Sequence, residues 1–269
     1  MTTRAPEPGA AVATRVTVRS TLAPLMAEPR VSSGQIAQLL RGHQADVLEE
    51  DGVWWRVMGA DGYAGWCHRG YLEAEWSVLA PPPLRAAWSA ERRMSLGCRV
   101  RRADGAELAL PLGALLESDE EAVYGLAMNH RARTRYFAPD VQLLARRAIE
   151  CFRGTPYQWG GVSPWGADCS GFVQTMYALH GTQLPRDAWM QAERGREVDG
   201  DFADLIAGDL LFFSDRDDGR ITHVALSLGG PSIAHSSLAN GGFAINELDA
   251  SDPVATALRA TFRFARRIL

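Results

Sequence analysis

The sequence changes its pattern at Pro139. Before it, short runs of alternating apolar and polar residues are separated by turn dipeptides such as Asp51-Gly52 and Asp61-Gly62, which favour two-residue β-hairpin turns. After it, "PDVQLLARRAIECFRG" (139–154) carries apolar residues at helical spacing, with a proline at its start and a glycine at its end. The chain must therefore accommodate small β-barrels and a separate unit of helices and strands.

Three units follow from this pattern. Residues 1–80 contain both hairpin signals and are predicted to form a first small barrel. Residues 84–137, with a further turn signal at Asp104-Gly105, are predicted to form a second β unit, and residues 138–269 form the third unit. The prolines of "APPP" (80–83) cannot continue a strand or helix, so this stretch is predicted to be a linker.

The third unit is predicted to be α+β, with helices packed on an antiparallel sheet. A glycine-rich loop leads from the first helix into a second, "CSGFVQTMYALHG" (169–181), and a short third helix follows Asp187. Strands are predicted over 209–214, 222–229 and 232–237, and a last one within "ATFRFARRI". Helices followed by consecutive strands are typical of this fold class.

Composition excludes several classes of function. The chain has 269 residues and a formal net charge of −4, which favours neither nucleic acid nor an anionic membrane as a partner. No run approaches the roughly 18 apolar residues that a membrane span needs. The first residues, "MTTRAPEPGAAVATRV", lack the apolar segment of a secretory signal, so a cytoplasmic protein is expected. The four cysteines include no C-x-x-C pair, which argues against a zinc ribbon or a disulfide framework.

Cys169 is the candidate nucleophile. It stands between the glycine-rich loop and the second predicted helix, in "GADCSGF" (166–172). The unpaired N–H groups and the macrodipole at a helix start favour an anion, so the pKa of this thiol is expected to be lowered. A thiolate nucleophile also needs a base or imidazolium partner close by.

His223 is the candidate partner, and His235 is a candidate third residue. In the strand "THVALSLG", Val224 and Leu226 point to the core, so His223 is expected to face away from it, toward the helix layer or a cleft. His235 lies in the next strand, and neighbouring antiparallel strands can place both imidazoles on one face, where His235 could orient His223. The three residues are also possible zinc ligands, but they lack the close ligand pair typical of zinc sites, and we expect no metal and no cofactor.

Six motifs occur in the order of a known family: "PYQWGG" (156–161), "ADCSGFV" (167–173), "LPRDAWMQ" (184–191), "AGDLLFF" (207–213), "ITHVALSLG" (221–229) and "IAHSS" (233–237). They resemble the NlpC/P60 family of papain-like cysteine peptidases over residues 140–269. The resemblance implies Cys169 as nucleophile, His223 as base and His235 as the orienting residue. It also implies that Tyr157 and the backbone N–H of Cys169 stabilise the oxyanion.

Residues 25–72 are similar to the bacterial SH3 domain of γ-D-glutamyl-L-diamino acid endopeptidases, in which this domain closes one end of the cleft. The resemblance implies hydrolysis of the γ-D-Glu–diamino acid bond of murein peptides with a free N-terminal L-Ala, and a role in muropeptide recycling. Glu28, Tyr63 and Asp168 are then expected to bind the substrate ammonium.

Asp168, Ser170 and Arg186 each have two possible roles. Asp168 is equally suited to cap the helix. Ser170 is expected to bind substrate backbone or to suit the first helical turn, and Arg186 to contact substrate or to be structural.

Two other functions stay open from the sequence. A papain-like amidase or acyltransferase would use the same catalytic residues without requiring a free amino terminus. A non-catalytic protein that binds wall peptide through its SH3 units would not need the cysteine and histidines at all.

Overall fold

The computed structural model describes residues 12–77 and 92–269. The predicted linker at 80–83 lies outside the described residues. The elements within them are β1 Val12–Val18, β2 Leu22–Met26, β3 Gln35–Leu40, β4 Gln44–Asp51, β5 Trp54–Gly59, β6 Ala64–His68, β7 Leu72–Ser77, β8 Met94–Ser95, β9 Cys98–Arg101, β10 Glu107–Leu110, β11 Glu121–Tyr124, β12 Ala127–Met128, α1 His130–Tyr136, α2 Val141–Phe152, β13 Val162–Ser163, β14 Gly166–Ala167, α3 Cys169–Leu179, α4 Ala188–Gln191, β15 Arg196–Val198, β16 Leu210–Phe213, β17 His223–Gly229, β18 Ser232–Ser237, β19 Gly242–Glu247, α5 Pro253–Thr261 and β20 Phe262–Arg267.

The first barrel is a seven-stranded antiparallel sheet in the order β3-β2-β6-β5-β4-β1-β7. Both predicted hairpins are confirmed, since β4 pairs with β5 and β5 pairs with β6. Gly52 and Gly62 have φ of 61° and 78° in the connecting turns, a conformation that glycine adopts without steric cost. Alternate residues point inward and form a core that includes Val16, Leu25 and Val57.

The second β unit is smaller. Strands β10-β9-β11 form a three-stranded sheet, and β8 pairs with β12. Helix α1 follows directly, in a stretch that the sequence pattern did not predict to be helical. Its sequence, HRARTRY, has no apolar stripe that would signal a helix. The Asn129 side chain accepts a hydrogen bond from the Ala132 N–H at 2.9 Å and starts this helix.

The third unit has the predicted α+β fold. Its six-stranded sheet has the order β15-β20-β16-β17-β18-β19, and each neighbouring pair is antiparallel. The helices predicted at 139–154 and 169–181 are confirmed as α2 and α3. Helix α5 and strand β19 were not predicted.

Two cores cover the two faces of this sheet. Val224 and Leu226 of β17 belong to the larger core, which includes residues of α2 and α3. Ala225 belongs to a second core, together with Leu258 of α5. His223 shares the face of Ala225, so it lies on the α5 side of the sheet rather than under the α2–α3 layer, at the very start of the strand.

The glycine-rich loop allows α3 to begin where it does. A side chain at Gly171 would place a Cβ 2.0 Å from the carbonyl oxygen of Gly161. At Gly161 a Cβ would lie 2.2 Å from the carbonyl oxygen of Gly166. The first turn of α3 therefore packs backbone against backbone on the loop, which explains the small residues that follow Cys169. Among the residues that the structure describes, no helix is both long and apolar enough to cross a bilayer.

Candidate active site

Cys169 is the first residue of α3 and lines a cavity of about 600 Å³. Its side chain and backbone are largely covered, with 8% of the residue exposed. Asp168 precedes it as the N-cap, where its side chain accepts a hydrogen bond from the Gly171 N–H at 2.7 Å. The nucleophile position is thus held by a capped helix end on one side and the glycine-rich loop on the other.

The two predicted histidines are directly hydrogen-bonded. His223 Nε2 lies 2.8 Å from His235 Nδ1, although the two residues belong to different strands, β17 and β18. His235 is 1% exposed, and its Nε2 lies 2.9 Å from Asn246 Oδ1 on β19. With Nε2 of His223 engaged by His235, Nδ1 is the His223 nitrogen left for the cleft. The backbone of Val224, the residue after His223, lowers the pKa of the Cys169 thiol, so the thiol lies beside the start of β17.

The pKa of Cys169 differs from the prediction. Burial, followed by the nearby Asp168 carboxylate, raises the pKa of the thiol above its ordinary value. Backbone hydrogen bonds from Val224 and Ser170 lower it only in part. Burial, and then His235, lower the pKa of His223. The helix start therefore does not outweigh burial, and the thiol and the imidazole are both neutral at pH 7.

Tyr157 is placed near the thiol by the loop before α3. It is half-buried, and its backbone pairs with Ala167 in a parallel bridge. Burial and then the neighbouring Cys169 raise the pKa of the Tyr157 hydroxyl. The hydroxyl is therefore protonated at neutral pH and can donate a hydrogen bond into the site.

Asp168 and Arg186 form a buried ion pair. Arg186 Nη1 and Nη2 donate to Asp168 Oδ1 and Oδ2 at 3.0 and 2.6 Å. The same carboxylate accepts hydrogen bonds from the backbone N–H groups of Gly160 and Gly171, at 2.8 and 2.7 Å. Each oxygen of Asp168 is thus occupied by donors from the protein itself, and its charge is balanced by Arg186.

Arg186 does not have the position expected of a substrate-binding residue. It is 2% exposed and is not on the cavity wall, because its guanidinium is directed at Asp168. Nη1 also donates to the Ser170 hydroxyl at 2.9 Å. Ser170 does line the cavity. The contacts of Arg186 therefore support a structural role rather than contact with substrate.

Tyr63 reaches the same cavity from the first barrel. Its hydroxyl lies 3.2 Å from both carboxylate oxygens of Asp187. Burial, and then Asp187, raise the pKa of Tyr63 to about 12, so the hydroxyl donates this hydrogen bond at neutral pH. Ile36 of the first barrel and Trp159 of the glycine-rich loop line the cavity as well.

Asp187 is a cavity residue that the sequence analysis missed. It precedes the short helix α4, which is where a capping aspartate is expected, but its side chain makes no capping hydrogen bond. The carboxylate turns to Tyr63 instead. No local signal distinguishes a capping aspartate from this one, because the difference depends on a residue 124 positions away in the sequence.

Glu28 is not among the residues that line the cavity. Its carboxylate pairs with Arg30 at 2.9 Å, and its side chain is 57% exposed. The predicted place of Glu28 in the ammonium pocket is therefore not supported, and Asp187 occupies the corresponding position beside Tyr63.

Two arginines also line the cavity. Arg216 and Arg220 line it from the loop between β16 and β17. Arg216 is engaged by Asp218, at 2.7 Å. The Arg220 guanidinium lies 5.0 Å from the ring centroid of Trp189, a cation–π contact that leaves its N–H groups able to bind an anion.

A second cavity, of about 290 Å³, lies on the α5 side of the imidazoles and is lined by His223, His235 and Asp215. Asp215 lines the first cavity too, and its carboxylate accepts a hydrogen bond from the Thr222 hydroxyl at 2.9 Å. Across residues 12–77 and 92–269, no three His, Cys, Asp or Glu side chains are grouped to hold a metal ion.

Comparison with known proteins identifies the domains. The NlpC/P60 family matches residues 154–260, and the bacterial SH3 domain matches residues 15–73. The C-terminal unit is an NlpC/P60 domain, and the first barrel is a bacterial SH3 domain.

Three relatives show the extent of the similarity. The chain is 48% identical over 86 residues to the gamma-D-glutamyl-L-lysine dipeptidyl-peptidase of Bacillus subtilis, covering 32% of this chain and 28% of that protein. It is 28% identical over 265 residues to dipeptidyl-peptidase 6 of Lysinibacillus sphaericus, covering 87% of this chain and 91% of that protein. A crystal structure of an NlpC/P60 family protein from Bacillus cereus covers 95% of this chain and 100% of its own, with a TM-score of 0.73 and 21% identity. That last likeness confirms the fold.

Proposed function

We propose that this chain is a cysteine peptidase that hydrolyses the γ-D-Glu–diamino acid bond of murein peptides with a free N-terminal L-Ala. The observation that carries the proposal is the shared cavity. Cys169 of the NlpC/P60 domain and the Tyr63–Asp187 pair, which joins that domain to the SH3 domain, line the same space. A nucleophile and an anionic end wall in one cavity suit a short peptide held by its ammonium group. Similarity to the two named peptidases points the same way.

In the proposed reaction, Cys169 Sγ attacks the γ-carbonyl carbon of D-Glu while its proton passes to His223. Because the thiol and the imidazole are both neutral at rest, the transfer accompanies the attack rather than preceding it. The imidazolium then protonates the amine of the diamino acid as the C–N bond breaks. Water, deprotonated by His223, hydrolyses the thioester and restores the thiol.

The tetrahedral intermediate carries a negative oxygen that needs donors. The backbone N–H of Cys169 stands at the start of α3, where backbone donors are unpaired. The Tyr157 hydroxyl is protonated at neutral pH. We assign these two groups to the oxyanion, where each donor removed would cost on the order of 100-fold or more in kcat.

The ammonium of L-Ala is assigned to Asp187 and Tyr63. The Asp187 carboxylate accepts a hydrogen bond from the Tyr63 hydroxyl, which is neutral, and faces the cavity. Asp168 is less suited, because Arg186 already balances its charge. We therefore assign Asp168 to holding Cys169 and Ser170 in place and to shaping the wall of the pocket.

Arg220 is assigned to the free α-carboxylate of D-Glu. In a γ-linked residue the side-chain carboxyl forms the peptide bond, so the α-carboxylate is left as an anion beside the scissile bond. Arg220 lines the same cavity as Asp187. A cavity lined by both a carboxylate and a guanidinium suits a substrate that carries both charges.

A requirement for a free L-Ala amine places the enzyme after a reaction that separates the peptide stem from the glycan. The proposed role is therefore the breakdown of released muropeptides, and intact wall would be a poor substrate.

Hydrolysis of L-Ala-γ-D-Glu-meso-diaminopimelate beside its N-acetylated form tests the proposal. We expect cleavage of the free-amine peptide only, no cleavage by Cys169→Ala, and wild-type rates for Cys151→Ala, the matched control on α2. Equal cleavage of both peptides would point to an amidase or acyltransferase with an ungated cleft. Failure of the wild-type protein to cleave either peptide would refute the substrate.

A further inference from the structure

We propose that Asn246, held by Asn240, is a positioning residue that sets the tautomer of His235 and, through it, of His223. The inference rests on the proposed function, since it concerns the base of that reaction. It adds a fourth and a fifth side chain, both outside the cleft, to the Cys169–His223–His235 arrangement.

The sheet places Asn246 beside His235. Strand β18 pairs with β19 so that His235 is opposite Ala244 and Ile233 is opposite Asn246. His235 and Asn246 are therefore diagonal neighbours on one face, close enough for a hydrogen bond between long side chains. The contact between Nε2 and Oδ1 measures 2.9 Å.

Asn240 fixes which end of the Asn246 amide faces the imidazole. It lies in the turn between β18 and β19, and its Nδ2 lies 3.1 Å from Asn246 Oδ1 and 3.1 Å from Ser237 Oγ. Its two N–H groups are accounted for by these two acceptors. An amide that donates to Asn246 requires the oxygen of Asn246 at that position, and the same oxygen faces His235.

The protons then follow from the partners. An amide oxygen only accepts, so Nε2 of His235 carries a proton, and Nδ1 of the neutral ring is an acceptor. Across the 2.8 Å contact, His223 Nε2 must donate to that nitrogen. The remaining nitrogen of His223, Nδ1, is left without a proton, which is the form that a base needs.

Asn240 also has access to a second hydrogen bond, which would reverse the tautomer of His235. Its Nδ2 lies 3.1 Å from His235 Nε2. If it donated there, the His235 proton would move to Nδ1, and His223 would carry its own proton on Nδ1, the nitrogen that the proposed reaction assigns to the thiol. Reversal of both amides would have the same effect. Asn246 Oδ1 is thus the group that decides between a competent and an incompetent base.

The surroundings contain few other charges that could set the protonation. Burial lowers the pKa of both imidazoles, so both rings are neutral at rest. Among the described residues, the titratable group that lines a cavity with both imidazoles is Asp215, on the α5 side, and Cys169 lines the other cavity that Asp215 reaches. Asp215 is bound to Thr222.

The direct test needs neither substrate nor variant. Nitrogen NMR of histidine-labelled wild-type protein reports the tautomer of each ring. We expect His223 and His235 both protonated at Nε2. A resting His223 protonated at Nδ1 would overturn the proposal, whatever the enzyme cleaves.

Variants test the consequence for reactivity. Asn246→Leu removes the acceptor with little change in size, and we expect the rate of Cys169 alkylation by iodoacetamide and kcat to fall on the order of 10- to 100-fold, with KM nearly unchanged. Ile245→Leu, at a residue of the same strand that is 41% exposed, is the control, and thermal melting checks that both variants fold. Asn246→Leu reacting within twofold of wild type would contradict the assignment.

Asn246→Asp separates positioning from simple packing. The carboxylate favours protonated His235, which donates from Nδ1 and can no longer accept from His223. We expect the acid limb of the alkylation-rate profile to move to higher pH, with the rate recovering toward wild type at alkaline pH where His235 is neutral. An unshifted profile would contradict a role for Asn246 in setting the proton. Because alkylation needs no murein peptide, this result stands apart from the failure of the proposed substrate.

Discussion

Three aspartates line the same cavity, and the surroundings of two of them, Asp168 and Asp187, differ. Asp168 is buried, and its oxygens accept hydrogen bonds from Arg186, two backbone N–H groups and the Ser170 hydroxyl. Asp187, within the described residues, is hydrogen-bonded only by the Tyr63 hydroxyl. A carboxylate whose oxygens are saturated by the protein shapes the wall, whereas one that accepts a hydrogen bond from a single hydroxyl retains acceptor capacity for a ligand.

The largest expected effect is on stability. Asp168→Ala leaves Arg186 buried and unpaired, so we expect the free energy of unfolding to fall by about 3 to 5 kcal/mol. Asp187→Ala, at a half-buried site with no direct ion pair to another described residue, is expected to cost less than about 1 kcal/mol. Urea unfolding of both variants measures the difference.

The double variant Asp168→Ala/Arg186→Met sharpens that result. It removes both charges, and we expect it to be more stable than Asp168→Ala alone, since the unpaired guanidinium is the main cost. An equal fall in the free energy of unfolding for Asp168→Ala and Asp187→Ala would show that the surroundings of the two aspartates do not differ as described.

The next effect is on substrate selection. Asp187→Asn removes the charge that faces the ammonium and retains the shape. We expect kcat/KM for the free-amine tripeptide to fall on the order of 10- to 100-fold, because a charge-assisted hydrogen bond is lost. Steady-state kinetics on the free and N-acetylated peptides provide the test, and a fall of equal size for both would remove Asp187 from ammonium recognition.

Tyr63→Phe is expected to have a smaller effect. Loss of one hydroxyl donor corresponds to about 1 kcal/mol, or roughly a fivefold rise in KM. Because burial raises the pKa of Tyr63 to about 12, the hydroxyl stays protonated up to about pH 10. The ratio of wild-type to variant KM should therefore be constant from pH 7 to pH 10, and a ratio that changes within this range would show that the hydroxyl ionises there.

Glu28→Ala should have the smallest effect. Its carboxylate forms an exposed pair with Arg30, and such pairs contribute about 0 to 1 kcal/mol. We expect kcat/KM within twofold of wild type. A loss comparable to that of Asp187→Asn would return Glu28 to the ammonium pocket.

The sequence predicted most of the fold because its signals are local. The Asp-Gly turns at 51–52 and 61–62 mark hairpins of the SH3 domain, and apolar spacing marks α2 and α3. Helix α1 was missed because HRARTRY lacks an apolar stripe, although Asn129 caps it. Strand β19 and helix α5 were missed because their turn and capping residues do not by themselves indicate how long the elements run.

A residue of the candidate site was predictable only where the local sequence indicates both its chemistry and its position in a helix or strand. Cys169 is recognisable because a loop of small residues runs into a helix, and His223 and His235 because they begin or interrupt apolar strands. Asp187 was not recognisable, because an aspartate before a short helix has the same local sequence whether it caps the helix or turns to Tyr63. The pKa of Cys169 was predicted in the wrong direction, because burial depends on the assembled domains.

The sequence by itself determined the elements, the α+β class of the third unit and the residues with the chemistry for nucleophilic catalysis, since periodicity, turns and caps act within a few residues. The tertiary structure decided how the three charged groups Asp168, Arg186 and Asp187 divide between support and cavity. It also decided that Asn246 lies against His235. Hydrogen bonding and desolvation depend on distance in space, and these partners meet only when separate strands and domains pack together.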